Sequence, residues 1–365
     1  MAIARSKLVD EGKSGVYHLV NRCVRRTFLL GDESHHRRDW LQEALRAKTA
    51  IFAIDVLAYA IMDNHFHLIV KTHPERAAAW GDLEVARRWT ALCPPKNLKG
   101  QVVKLTQEEL RELVARPGWV KERRKRLASM SWLMKLIKEK LARQANREDK
   151  CHGHFWEGRF ASVPLLDQAA VIAGMVYVDL NPIRAKMAAT PEESEYTSVQ
   201  ERIVLNAGRV PRKLRRSGLR QDAQKNDHML AQVRAEVLRK KAHNVIKPWV
   251  VAIKECAPGA EGECTLTLAD YLQLVDLTAR RVRKDKRGAM DGTLEPILER
   301  LGLDADKWVE AMTRGGRFRG RAVGSAEARE KHLADRAAGD AQDEASPPHW
   351  IADKTPLYAK GDGVM

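Results

Sequence analysis

Two apolar runs joined by only two turn residues constrain this chain more than any other feature. Residues 54–62 and 65–71 flank Asp63-Asn64, and both turn residues tolerate the positive φ that a tight hairpin needs. The runs therefore read as adjacent antiparallel strands. Val16-Tyr17-His18-Leu19-Val20-Asn21 reads as an earlier strand. Between them Gly31-Asp32-Glu33-Ser34 can start a helix, with Trp40, Leu41, Ala44 and Leu45 as its buried stripe. A later helix and a fourth strand over residues 155–165 complete the pattern. It predicts an α+β fold, an antiparallel sheet with flanking helices.

The chain is 365 residues long and 44% hydrophobic, enough for two domains or one domain with large additions. Residues 74–126 read as an insertion, interrupted by Cys93-Pro94-Pro95 and carrying a capped helix start at Thr106-Gln107-Glu108-Glu109. A long helix follows, with Met130, Leu133, Met134, Ile137 and Leu141 on one face. Asp167 caps another that runs to about Leu180, where Asn181-Pro182 ends it. The expected division is a first domain over 1–200, a basic connector over 201–264 and a helical accessory domain over 265–324. The last of these opens with a helix capped by Thr267, followed by helices at 294–301 and 304–312. The Ala-, Asp- and Glu-rich stretch 325–365 reads as a mobile tail.

Net charge is +16, which favours a polyanionic partner, most simply nucleic acid. The five cysteines are odd in number and none has C-x-x-C spacing, so a disulfide framework or a cysteine zinc module is not expected. No apolar run reaches the roughly 20 residues that span a bilayer. The expectation is a cytoplasmic, nucleoid-associated protein with no membrane partner.

On a strand, His65 and His67 point to one face, about 7 Å apart along the backbone, while Phe66 points to the other. Imidazoles suit several divalent metals. The pair alone is unspecific, since His152-Gly153-His154 repeats it. On a helix, Tyr177 and Asn181 are neighbours, about 5–6 Å between Cβ atoms. Asn181 Oδ1 can then be a third, hard ligand and the Tyr177 hydroxyl a nucleophile toward a phosphodiester. A core tyrosine before a helix stop explains the same local sequence. Other chemistries lack their residues. Gly12-Lys13-Ser14 has Lys7 where a phosphate loop needs glycine, and neither H-E-x-x-H nor G-x-S-x-G occurs. Arg123, Arg124, Lys125, Arg126 and Lys135, with Arg159 and Arg184, are candidate DNA phosphate contacts.

Three blocks then occur in order: Tyr59-Ala60-Ile61-Met62-Asp63-Asn64-His65-Phe66-His67-Leu68-Ile69-Val70, His154-Phe155-Trp156-Glu157-Gly158-Arg159-Phe160 and Tyr177-Val178-Asp179-Leu180-Asn181-Pro182-Ile183-Arg184-Ala185. Together they resemble the REP-associated tyrosine transposases, a branch of the HUH single-tyrosine transposases. The resemblance covers about residues 10–200. It implies a ferredoxin-like (RRM-like) sheet and Mg²⁺ or Mn²⁺ held by His65 and His67, with Asn181 as third ligand. It also implies Tyr177 as nucleophile, forming a 5′-phosphotyrosine with single-stranded or hairpin DNA, in a monomer or homodimer. Two features depart from it: the insertion over 74–126 is longer than the family core needs, and the region after 265 lies outside that core. A domesticated, non-catalytic protein that binds hairpin repeats is the alternative. An RRM-like RNA-binding module would want exposed aromatics on the central strands, where this sheet has histidines.

Overall fold

The computed structural model describes residues 9–31, 34–97, 99–209, 249–256, 266–282 and 323–343. Strands β1 (Gly15–Arg22), β2 (Ile54–Ile61), β3 (His65–Thr72) and β4 (Ala161–Leu165) form one antiparallel sheet in the order β2-β3-β1-β4. Helix α1 (His36–Thr49) links β1 to β2. Helices α2 (Pro74–Ala78), α3 (Asp82–Leu92), α4 (Gln107–Ala115) and α5 (Trp119–Ala128) fill the insertion, and α6 (Met130–Glu148) leads back toward β4. Strand order and connections are those of the ferredoxin-like fold.

Alternation along the strands builds two apolar layers. On one face Tyr17, Leu19, Tyr59, Ile61, Phe66, Leu68 and Val70 pack with Leu41 and Leu45 of α1 and with the Met130–Leu141 stripe of α6. On the other, Ala58, Ala60, Ile69 and Leu165 pack against α7 (Gln168–Asp179). A register shift between Val56 and Ala58 turns Leu57 as well toward that second layer. The small Ala58 and Ala60 let the helix approach the sheet closely.

Arg37 occupies the first turn of the α1 stripe and is only 2% exposed, whereas Trp40, expected there, is half-buried. Its Nε donates to Glu148 at 2.8 Å and a terminal nitrogen to Asp149, so the start of α1 is tied to the end of α6. Arg37→Ala is expected to cost about 2 kcal/mol, read as a lower melting temperature, with little recovery in Arg37→Lys because one ammonium cannot span both carboxylates.

The cap at Asp167 is present: its Oδ1 accepts from Ala170 N at 2.8 Å. Thr106 and Glu109 form the expected capping box of α4. At Asn181-Pro182 the chain breaks rather than stops. α7 ends at Asp179, and α8 (Asn181–Arg184) starts at once with proline in its first turn, where no N–H is needed. Helices α9 (Ser198–Arg209), α10 (Ile253–Cys256), α11 (Leu268–Val282) and α12 (Ala326–Asp343) follow.

One expectation is corrected. The fourth strand begins at Ala161, not Phe155. Phe155, Trp156 and Phe160 instead plug the α1–α6 layer from a loop, Trp156 Nε1 donating to Lys138 O at 3.0 Å. Residues 326–343, within the stretch read as a mobile tail, form a helix; its alanines and glutamates are strong helix formers. Tyr271, Leu274 and Val275 of α11, from the expected accessory region, share a core with α7. The helices expected at 294–301 and 304–312 lie outside the described residues. No helix among those described is long and apolar enough to cross a membrane.

Candidate active site

The unbroken β1–β3 register sets His18 opposite Ile69, Val20 opposite His67 and Arg22 opposite His65. Because side chains alternate, His18, Arg22, His65 and His67 share the face that α7 covers. Tyr177, near the C-terminal end of α7, completes the cluster. Its ring centroid lies 6.0 Å from those of His67 and His18, edge-on to both. The His65 and His67 rings are 4.9 Å apart. The two imidazoles and the phenol therefore meet within one chain, although more than a hundred residues separate them.

Both imidazoles have a hydrogen-bond partner at Nδ1. Asn64 Nδ2 donates to Arg26 O at 2.9 Å, which orients the amide. Asn64 Oδ1 then faces His65 Nδ1 at 2.6 Å, so His65 Nδ1 must carry the proton and, in the neutral ring, Nε2 keeps its lone pair. His67 Nδ1 lies 2.9 Å from His18 Nε2. A proton on His67 Nδ1 makes the same arrangement there. Burial, reinforced by the electrostatic effect of His65, His18, Arg22 and Arg184, holds the His67 pKa well below that of a free imidazole. His67 is neutral at pH 7.

These donors fit a hard divalent ion. With Nδ1 of each ring tied to an outer partner, both imidazoles can offer Nε2, as is usual for metal-bound histidine. Asn181 Nδ2 donates to Tyr177 O at 2.9 Å, and its Oδ1 accepts no hydrogen bond among the described residues. No group of three His, Cys, Asp or Glu side chains among the described residues is arranged to hold a metal.

Arg184 of α8 stacks over the Tyr177 ring at 4.8 Å. The other candidate phosphate contacts stand elsewhere. In α5, Arg123 lies over Trp119 at 4.9 Å and Arg126 over Trp132 at 4.2 Å, and both bond Glu122. Arg124 pairs with Asp82 at 2.6 Å. Lys135 Nζ sits 4.7 Å over Trp132. Lys125 and Arg159 are exposed. The α5–α6 cations thus form a tryptophan–arginine stack associated with the opposite layer, each cation–π contact contributing about 0.5–1 kcal/mol at such sites.

Sequence reasoning passed over His18 and Arg22. A single histidine in an apolar strand reads as core, and an arginine at a strand end reads as solvated. The available signal was parity: His18 and Arg22 are an even number of positions apart on β1, and the hairpin sets β1 beside the His65–His67 strand. The RRM-like alternative loses its surface, since α7 covers the sheet face on which bases would stack.

Residues 13–79 match the family model described as IS200-like transposase. That span contains β1, α1, β2 and β3 with His18, Arg22, His65 and His67, and ends before Tyr177. Among solved structures, one described as a REP-associated tyrosine transposase bound to a REP hairpin aligns at 13% identity over 61% of this chain and 95% of that one. Its TM-score of 0.33 is too low to carry an argument. No curated protein matches the chain significantly.

Proposed function

We propose that this chain, whose residues 13–79 match the IS200-like transposase model, cleaves and rejoins single-stranded DNA through Tyr177. The observation that carries this reading is the approach of the Tyr177 ring to within 6.0 Å of His67 in the same chain. The substrate is hairpin-bearing DNA, and the chain's net charge of +16 suits such a polyanion. Tyr177 Oη attacks the scissile phosphorus, an O–P bond forms, and the bond from phosphorus to the 3′ oxygen breaks. The phenolic proton leaves to solvent and the 3′ oxygen takes one up, giving a 5′-phosphotyrosine and a free 3′ hydroxyl. Attack by another 3′ hydroxyl reverses the step and joins strands without an external energy source.

His65, His67 and Asn181 would hold Mg²⁺ or Mn²⁺, which supplies charge neutralisation at the phosphate oxygens. Asn64 and His18 orient the two imidazoles. His18→Phe is expected to weaken Mn²⁺ binding about tenfold or more, measured by calorimetry, because the partner of His67 Nδ1 is lost. Arg184 lies over the nucleophile's ring and is placed to meet the incoming phosphate.

The test is to mix the protein, a hairpin-bearing single-stranded oligonucleotide and Mn²⁺, and to look for a covalent complex on a denaturing gel. An adduct suppressed by chelator supports strand cleavage. The binding-only alternative draws on one observation: Tyr177 is 7% exposed, dry for a nucleophile that must meet DNA. Tight hairpin binding without any adduct would favour it.

A further inference from the structure

Arg22 ends β1, directly opposite His65 and on the face that carries both imidazoles. Several other half-buried or buried arginines are paired with carboxylates. Arg37 is paired with Glu148 and Asp149, Arg38 with Asp63, and Arg202 with Asp179. Arg22 forms no ion pair among the described residues, and its Nε is buried with no hydrogen-bond partner. A guanidinium held partly out of water without an anion is costly. Here it is also set beside two histidines and near a second cation, Arg184, and its charge helps to keep His67 unprotonated. An anion arriving here would give the buried Nε a partner and offset the clustered positive charge.

We propose that Arg22 is a catalytic residue that grips the scissile phosphate, its guanidinium taking the non-bridging oxygens of the phosphodiester attacked by Tyr177. The inference rests on the strand-cleavage reading for its rate effect and goes beyond it in naming the phosphate clamp. The planar fork matches two phosphate oxygens at once. Those oxygens gain negative charge as the O–P bond forms, so the contact strengthens in the transition state.

The experiment compares wild type, Arg22→Gln and Arg22→Lys on one hairpin-bearing single-stranded oligonucleotide. The first readout is the salt dependence of affinity in chelator, where no chemistry occurs. Loss of one phosphate contact is expected to flatten the slope of log K against log salt by about 0.7 in Arg22→Gln, with Arg22→Lys close to wild type. The second is the rate of adduct formation in Mn²⁺. Arg22→Gln is expected to lower it about 100-fold, mostly in kcat, and Arg22→Lys to recover only part, since an ammonium is a point charge. Should glutamine weaken the strand, Arg22→Met keeps the apolar stem and serves in both assays. An unchanged salt slope overturns the proposal whatever the rate does. A flattened slope in a protein whose wild type makes no adduct leaves the phosphate contact standing and removes the cleavage reading instead.

Discussion

Tyr177→Phe is expected to eliminate the covalent protein–DNA complex, a loss on the order of 10³-fold or more, because the covalent route has no other entry. Hairpin affinity is expected to stay within about threefold of wild type, since the substitution removes one oxygen and no charge. The change is mild for the fold: the ring keeps its edge contacts with His18 and His67 and its place under Arg184. The other described tyrosines are poorly placed to substitute. Tyr17 and Tyr59 belong to the opposite layer, and the Tyr59 hydroxyl lies between Gln42 and Glu201. Tyr196 donates to Asp39 at 2.9 Å; burial and that carboxylate hold its pKa above the ordinary phenol value, which disfavours the attacking phenolate. Tyr271 donates its proton to Asp179. Quantifying the shifted band on a denaturing gel checks the prediction, and an adduct of wild-type intensity in Tyr177→Phe would refute it.

The largest stability effect is expected two residues further along α7. Asp179 is fully buried and accepts from Tyr271 Oη at 2.5 Å, from Val199 N at 3.0 Å and from Ser198 Oγ. Arg202, itself 7% exposed, lies 3.7 Å away. Burial pushes the Asp179 carboxyl upward despite these donors. Asp179→Ala strips an acceptor from each of them and leaves Arg202 without its counter-charge, at a cost of about 3–5 kcal/mol. For a folded unit of this size the melting temperature should fall by roughly 10 °C. Tyr271→Phe keeps the ring in the core and loses one hydrogen bond to a charged group, about 1.5–3 kcal/mol. The order of the two variants in a thermal melt is the informative result. It tests whether α7, the helix that carries Tyr177, is held between its sheet and α11 by this carboxylate. An Asp179→Ala protein that melts with wild type would show that the apolar contacts of Leu274 and Val275 hold α11 without it.

Much of the architecture was legible because local chemistry and periodicity agreed. The hairpin followed from two apolar runs around Asp63-Asn64, although neither turn residue takes a positive φ; α4 followed from its capping box, α7 from Asp167 and the α6 stripe from its apolar spacing. What could not be read depends on long-range partners. The Phe155–Phe160 segment has strand-like aromatics, but its side chains plug a layer made by α6 and Phe66. Arg37 looks like a solvated helix residue until Glu148 and Asp149, over a hundred positions away, arrive beside it. The cations of α5 read as a phosphate-binding run. Several instead stack on Trp89 and Trp132 of neighbouring helices, and Arg123 also on Trp119 of α5 itself. Asn181 and Tyr177 could be paired from helical spacing alone, whereas His18 needed the β1–β3 register.

The most direct test of a phenol and two imidazoles acting on one phosphate is peptide mass mapping of the wild-type adduct, made with hairpin DNA and Mn²⁺ and then digested with nuclease. A nucleotide 5′-phosphate mass on the peptide containing Tyr177, absent when chelator is present or when His65 and His67 are both alanine, is the predicted result. The same mass on another tyrosine, or an adduct indifferent to chelator and to the two histidines, would contradict it.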